Sequence, residues 1–120
     1  MVTRRFDVFH NPNAAASKHL PFLLVVQSEL LEDLPTRVVI PLVRASALKN
    51  QSATLLNPEF DVEGIHVVAL AQQLAAVPIS ALRKHVTSFE AHRESILRAL
   101  TSLAASPAPQ PAAALAGAGA

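Results

Sequence analysis

Cysteine is absent from this 120-residue chain, and with it go disulfides, thiolate nucleophiles and Cys-ligated zinc sites. That fits a reducing compartment, and the chain is expected to be cytoplasmic. Tryptophan and tyrosine are also absent, and five Phe are the whole aromatic complement, so the core must be built from Leu, Val, Ile and Ala. Glycine is nearly as scarce. Gly64, Gly117 and Gly119 cannot compose a phosphate-binding loop. Charge of one sign is missing too. Ten basic residues face nine acidic ones, without the basic excess of a protein that lives on nucleic acid, so no direct nucleic-acid contact is expected. The Arg4-Arg5 pair has no apolar run behind it, so no secretory signal is read there.

What is present is apolar. Hydrophobic residues make up 51% and charged residues 16%, enough to fold one domain around one core. Nothing after Arg98 is charged, a stretch long enough to cross a bilayer. Pro107, Pro109 and Pro111 interrupt it, so it reads as a helix end followed by a tail, with no membrane partner.

Residues 3–9 alternate as a half-buried strand does, with Phe9 out of step. Leu20–Val26 and Arg37–Val43 are continuous apolar runs, the pattern of strands covered on both faces. Pro41 inside the second run has no ladder donor and is expected at an edge or a bulge. Ala45–Lys49 suits one helical turn. Leu56–Val62 and Ile65–Leu70 form a hairpin about Glu63-Gly64, and Ala76–Ile79 is short and extended. From Ser80, a suitable N-cap, the residues Leu82, Val86, Phe89, Ile96, Leu100 and Leu103 fall at three- and four-residue steps, predicting an amphipathic helix with a break near Lys84. The organisation expected is a folded domain over 1–104 and a disordered Ala/Pro/Gly-rich tail over 105–120. One helix cannot cover several two-faced apolar strands, so the rest must be hidden by the sheet curling on itself, by a second copy or by both, and a homodimer is expected.

Catalytic constellations do not emerge. His85 and His92 sit seven apart, whereas a metal pair on a helix prefers four. Glu59, Asp61 and Glu63 read as a solvated hairpin face, and Ser28 has no partner placed to make a triad. No catalytic residue, metal or cofactor is expected; the chain reads as a binding protein and not an enzyme.

Val26-Gln27-Ser28-Glu29-Leu30-Leu31, Thr36-Arg37-Val38-Val39-Ile40-Pro41-Leu42 and Ala76-Val77-Pro78-Ile79-Ser80 together resemble the CcdB family of plasmid and chromosomal toxins. The first strand, ending in Val8-Phe9, and the closing helix stand in the same order, so the resemblance spans about residues 3–107. It implies a mainly β, α+β fold: a strongly bent antiparallel sheet, SH3-like or a partly open barrel, with a C-terminal α-helix, paired as a homodimer. It further implies the toxin of a type II toxin–antitoxin module concerned with plasmid maintenance, inhibiting the topoisomerase DNA gyrase through its A subunit and neutralised by a CcdA-type antitoxin. Family poisons end their helix with a Gly and an aliphatic residue, often after an aromatic. The equivalent positions here are Ala105, Ser106 and Pro107, which do not match, so Leu103, Ala104, Ala105, Ser106 and Pro107 form a candidate target-binding region by position alone. Two other readings stand beside this one: a homologue that keeps dimer and antitoxin binding but no longer poisons, and an mRNA endoribonuclease similar to the MazF toxins, with Thr36, Arg37 and Arg44 touching phosphates.

Overall fold

The computed structural model describes residues 3–31, 33–48 and 57–105. Its strands are β1 (Asp7–His10), β2 (Phe22–Val25), β3 (Thr36–Arg44), β4 (Glu59–Val62), β5 (Ile65–Ala69), β6 (Ala75–Pro78) and β7 (His85–Ser88), followed by helix α1 (Arg93–Ala105). All pair antiparallel in one sheet of order β4-β5-β3-β2-β1-β7, with β6 also on β3. The tail beyond Ala105 lies outside the described residues, as does the link from Lys49 to Leu56.

β3 organises the sheet. One of its edges pairs with β2 through Val39–Leu42. The other edge is shared: Thr36–Val39 against β6, then Leu42–Arg44 against β5. Pro41 sits at that fork. Its carbonyl accepts from Leu70 N at 3.1 Å on the forked side, which is therefore the side on which it lacks a donor. The expected edge or bulge is replaced by a strand flanked on both sides, and proline is tolerated because its missing N–H falls where one partner gives way to the next.

Strand alternation then sorts the apolar residues into separate cores. Val8, Phe22, Leu24, Ile40, Leu42 and Val67 face one side, where Ile96 and Ala99 of α1 meet them. Phe9, Leu23, Val25 and Val39 face the other and are sealed by Leu82 and half-buried Val77. Val43, Val68 and Leu70 pack with Leu20, Ala45 and Leu48. A single chain therefore hides both faces of its apolar strands. The curling of the sheet accounts for this among the described residues, with Val77 of β6 and Leu82 beyond it packing on the second face.

The sheet curls into a half-barrel until its ends touch. Phe60 on outer strand β4 meets Phe89, just past outer strand β7, with ring centroids 4.6 Å apart. His92 lies 5.1 Å from the Phe60 ring and edge-on to Phe89 at 5.3 Å. Phe6 enters β1 with φ +74°, a conformation a bulky residue holds only under constraint. Here its N–H donates to Val25 O, its carbonyl accepts from Phe89 N, both at 2.7 Å, and its ring is 1% exposed.

The hairpin is where the sequence places it. Glu63 and Gly64 have φ of +51° and +79°, the two left-handed residues that a tight β-turn of this hand requires. The helix is shorter than its periodicity predicts. Ser80 lies in the 3-10 turn Ile79–Ala81, and the preceding Pro78 provides no side-chain cap. Residues 85–88 are strand β7, and α1 begins only at Arg93. Val86 and Thr87 are β-branched, and Thr87 pairs with Val8 and His85 with Phe9 of β1 across a bulge at Val86, so pairing wins over helix there. Among the described residues no helix is long and apolar enough to cross a membrane.

Candidate protein-binding site

Three surface features bear on binding. The first is the end of α1. Ser88 Oγ accepts from Glu90 N at 3.2 Å, turning the chain out of β7 toward the helix, and Glu94 lies in its first turn, where the helix dipole favours an acid. Ile96 and Ala99 are each 1% exposed, and Leu97 and Leu100 pack partly against the same core. Leu103 lies half-exposed in the last turn. Ala104 and Ala105 complete the helix, while Ser106 and Pro107 lie outside the described residues. Of the candidate region, the structure therefore places Leu103 to Ala105 at the helix terminus.

The second feature is the β2–β3 connection, which displays leucines. Leu30 is 93% exposed, and Leu31 and Leu34 are about half exposed. Their presentation is built from beneath. Gln27 is buried, its Oε1 accepting from Val38 N and its Nε2 donating to Leu31 O, each at 3.0 Å. Arg37 is buried too, and its Nη1 donates to Leu34 O at 2.7 Å and Thr36 O at 2.9 Å. Two strong donors bound to backbone carbonyls fix the loop, leaving its leucines no place in the core. Leu30, Leu31 and Leu34 are the candidate contact side chains of this loop. Sequence reading missed them, although the cue was present in an apolar pair, Leu30-Leu31, inside an acidic connection.

The same geometry corrects the expectation for a phosphate cradle. Arg37 is spent on carbonyls inside the protein, Thr36 is half-buried, and Arg44 Nε donates to Lys18 O at 2.8 Å. These three do not converge on an open site.

The third feature is an acid clasp on the β4–β5 hairpin. Cross-strand register sets His66 opposite Asp61. Its Nδ1 lies 2.9 Å from Asp61 Oδ1, and its Nε2 is hydrogen-bonded to Glu59 Oε1. Asp61 first and Glu59 second raise the His66 pKa above its ordinary 6.5 by bonding the protonated ring. Glu59, Asp61 and Glu63 are exposed as the solvated-face reading expects, and the first two also hold a histidine. His85 and His92, expected on one helix face, are separated: His85 in β7 reaches buried Asp7 at 3.2 Å, and His92 packs on the closing rings.

The described residues thus form a half-barrel with three outward leucines and a terminal helix. The family model described as CcdB protein matches residues 5–105. The chain belongs to the CcdB family. Among curated proteins none matches this chain in sequence. Among solved structures, an endoribonuclease from Mycobacterial species is similar, with a TM-score of 0.63 at 14% identity over 91% of this chain and 97% of that one. A toxin described as Mtb toxin is also similar, with a TM-score of 0.56 at 14% identity over 70% of this chain and 94% of that one. At such identities the likeness is one of fold. A CcdB-family chain is the toxin of a toxin–antitoxin pair, and this one carries the family fold over nearly all its described length.

Proposed function

We propose that this CcdB-family toxin acts in the cytoplasm as a homodimer that binds the A subunit of DNA gyrase and poisons the enzyme without catalysing a reaction, and that a CcdA-type antitoxin neutralises it. Family membership over residues 5–105 carries the reading. The outward leucines support it, since anchors of protein interfaces are side chains that lose water on docking. Dimerisation rests on the family, because the apolar strands are already covered within one chain.

The test is expression of the full chain and of a version ending at Ser106, with growth and gyrase-linked DNA breaks as readouts. Arrest with breaks, and binding of the purified protein to the gyrase A subunit at about 10 µM or tighter, is the expected result. Absence of binding by either version rejects the gyrase target. A specific observation favours one second reading: Ala105, Ser106 and Pro107 stand where family poisons carry Gly and an aliphatic residue. On that reading the chain binds its antitoxin yet is harmless when overproduced, and lack of toxicity in both versions selects it.

A further inference from the structure

We propose that the cavity between the β1–β2 loop and residues 81–84 binds a ribonucleotide, a property separate from any contact with gyrase. The cavity is a surface cleft open on one side with about 510 Å³ of space, within the roughly 300–1,000 Å³ usual for small-ligand sites. It is preformed. Asn11 Nδ2 donates to Leu20 O, Asn11 N to Pro21 O and His10 N to Lys84 O, each at 2.9 Å, so loop, strand and the segment before β7 are tied together. Its chemistry is divided. Pro12, Pro21 and Ile65 give it an apolar wall suited to the flat face of a base. Arg83 and Lys84 line it with exposed side chains that have no ion-pair or hydrogen-bond partner among the described residues, two neighbouring cations suited to a phosphate. Glu63 stands on the same cavity, its backbone fixed in the left-handed turn and its carboxylate 3.9 Å from His10 Nε2.

That carboxylate decides the ligand class. An acidic peptide or a bare anion would meet Arg83 and Lys84 but be repelled by Glu63. A ribose presents hydroxyl donors that a carboxylate accepts, as in dinucleotide sites where an acidic residue takes the ribose hydroxyls. A formal net charge of +1 also argues for one nucleotide and against a long polymer track. Free nucleotide and the terminal nucleotide of an RNA share this chemistry.

Titration calorimetry of the full chain with 5′-AMP, 2′-deoxy-AMP, inorganic phosphate and hexaadenylate tests the proposal. Binding of AMP at about 1 mM or tighter is expected, weakened at least about tenfold by Arg83→Ala with Lys84→Ala. Glu63→Gln is expected to erase the preference for AMP over its deoxy form. Arg83 and Lys84 are exposed, so an unchanged thermal midpoint will show that the double variant is folded, and its affinity for the gyrase A subunit is expected to match wild type. Hexaadenylate binding tighter than AMP assigns the site to an RNA end; weaker binding assigns it to the free nucleotide. Absence of AMP binding, phosphate binding as tight as AMP, or a double variant indistinguishable from wild type overturns the proposal, and none of these touches the toxin reading.

Discussion

Closure of the half-barrel by Phe60 and Phe89 makes a quantitative prediction. The two residues sit on opposite ends of the strand order, are 8% and 4% exposed, and bring their rings to 4.6 Å. Phe→Leu at either keeps an apolar side chain of nearly the same bulk, so each single change should cost about 1–2 kcal/mol. A tilted aromatic pair contributes about 0.5–1.5 kcal/mol beyond its buried area, and this is lost once whichever ring is removed. The double variant should therefore be less destabilised than the sum of singles by about 0.5–1.5 kcal/mol, above the roughly 0.3–0.5 kcal/mol scatter of independent sites. With no Trp or Tyr to report fluorescence, urea unfolding followed by far-UV circular dichroism is the assay. It must be run at one fixed protomer concentration, because association shifts the midpoint. Phe9 belongs to a different core cluster, so Phe9→Leu with Phe60→Leu is the additive control. Coupling between Phe60 and Phe89 no larger than that control would refute ring-mediated closure.

Gln27→Ala should cost about 2–4 kcal/mol, because Val38 N and Leu31 O lose their partner together; a urea midpoint shifted at unchanged slope checks it. The His66 clasp has a defined sign. Its folded pKa is raised, so its contribution is full below the unfolded value of 6.5 and disappears as pH rises through the folded value. The stability gap between wild type and His66→Gln should accordingly be larger at pH 5.5 than at pH 8.5, and a gap that grows with pH contradicts the assignment. Pro78→Val should promote self-association seen by light scattering. Ile79 N donates to Pro35 O across the ladder to β3, so Pro78 turns the opposite way, toward the free edge of exposed β6, where its missing N–H blunts that edge.

Much of the fold was readable from the residues, for identifiable reasons. The β4–β5 hairpin announces itself through Glu59, Asp61 and Glu63 alternating with Phe60 and Val62, and through Glu63-Gly64 at the turn. The long helix was overextended because Leu82, Val86 and Phe89 fall at helical steps by coincidence. In the structure Leu82 seals the second core and Phe89 closes the barrel, tasks on different sides of the sheet. Covering of both apolar faces by one chain was not legible, since it depends on the non-local pairing of β6 with β3, which brings Val77 and Leu82 onto the second face. The His66 clasp was hidden for a similar reason. Residues seven and five apart in the chain meet only when register sets Asp61 opposite His66.

The division of labour between buried and exposed residues bears on how a family member can keep its fold while its surface changes. Gln27, Arg37 and Pro41, which help to mark the family in sequence, serve architecture: two fix the β2–β3 loop from inside, and the third fits the fork in β3. The helix is anchored by Ile96 and Ala99 with help from Leu97 and Leu100, and no described residue beyond Leu100 joins a core cluster. Substitutions beyond Leu100 thus leave the cores intact. On the proposed reading, changes at Leu103 to Ala105 can alter target contact without disturbing the described cores. The β2–β3 loop is different in its backbone: the carbonyls of Leu31 and Leu34 are held by buried Gln27 and Arg37, so the path of that loop is tied to the fold even where its leucine side chains are exposed.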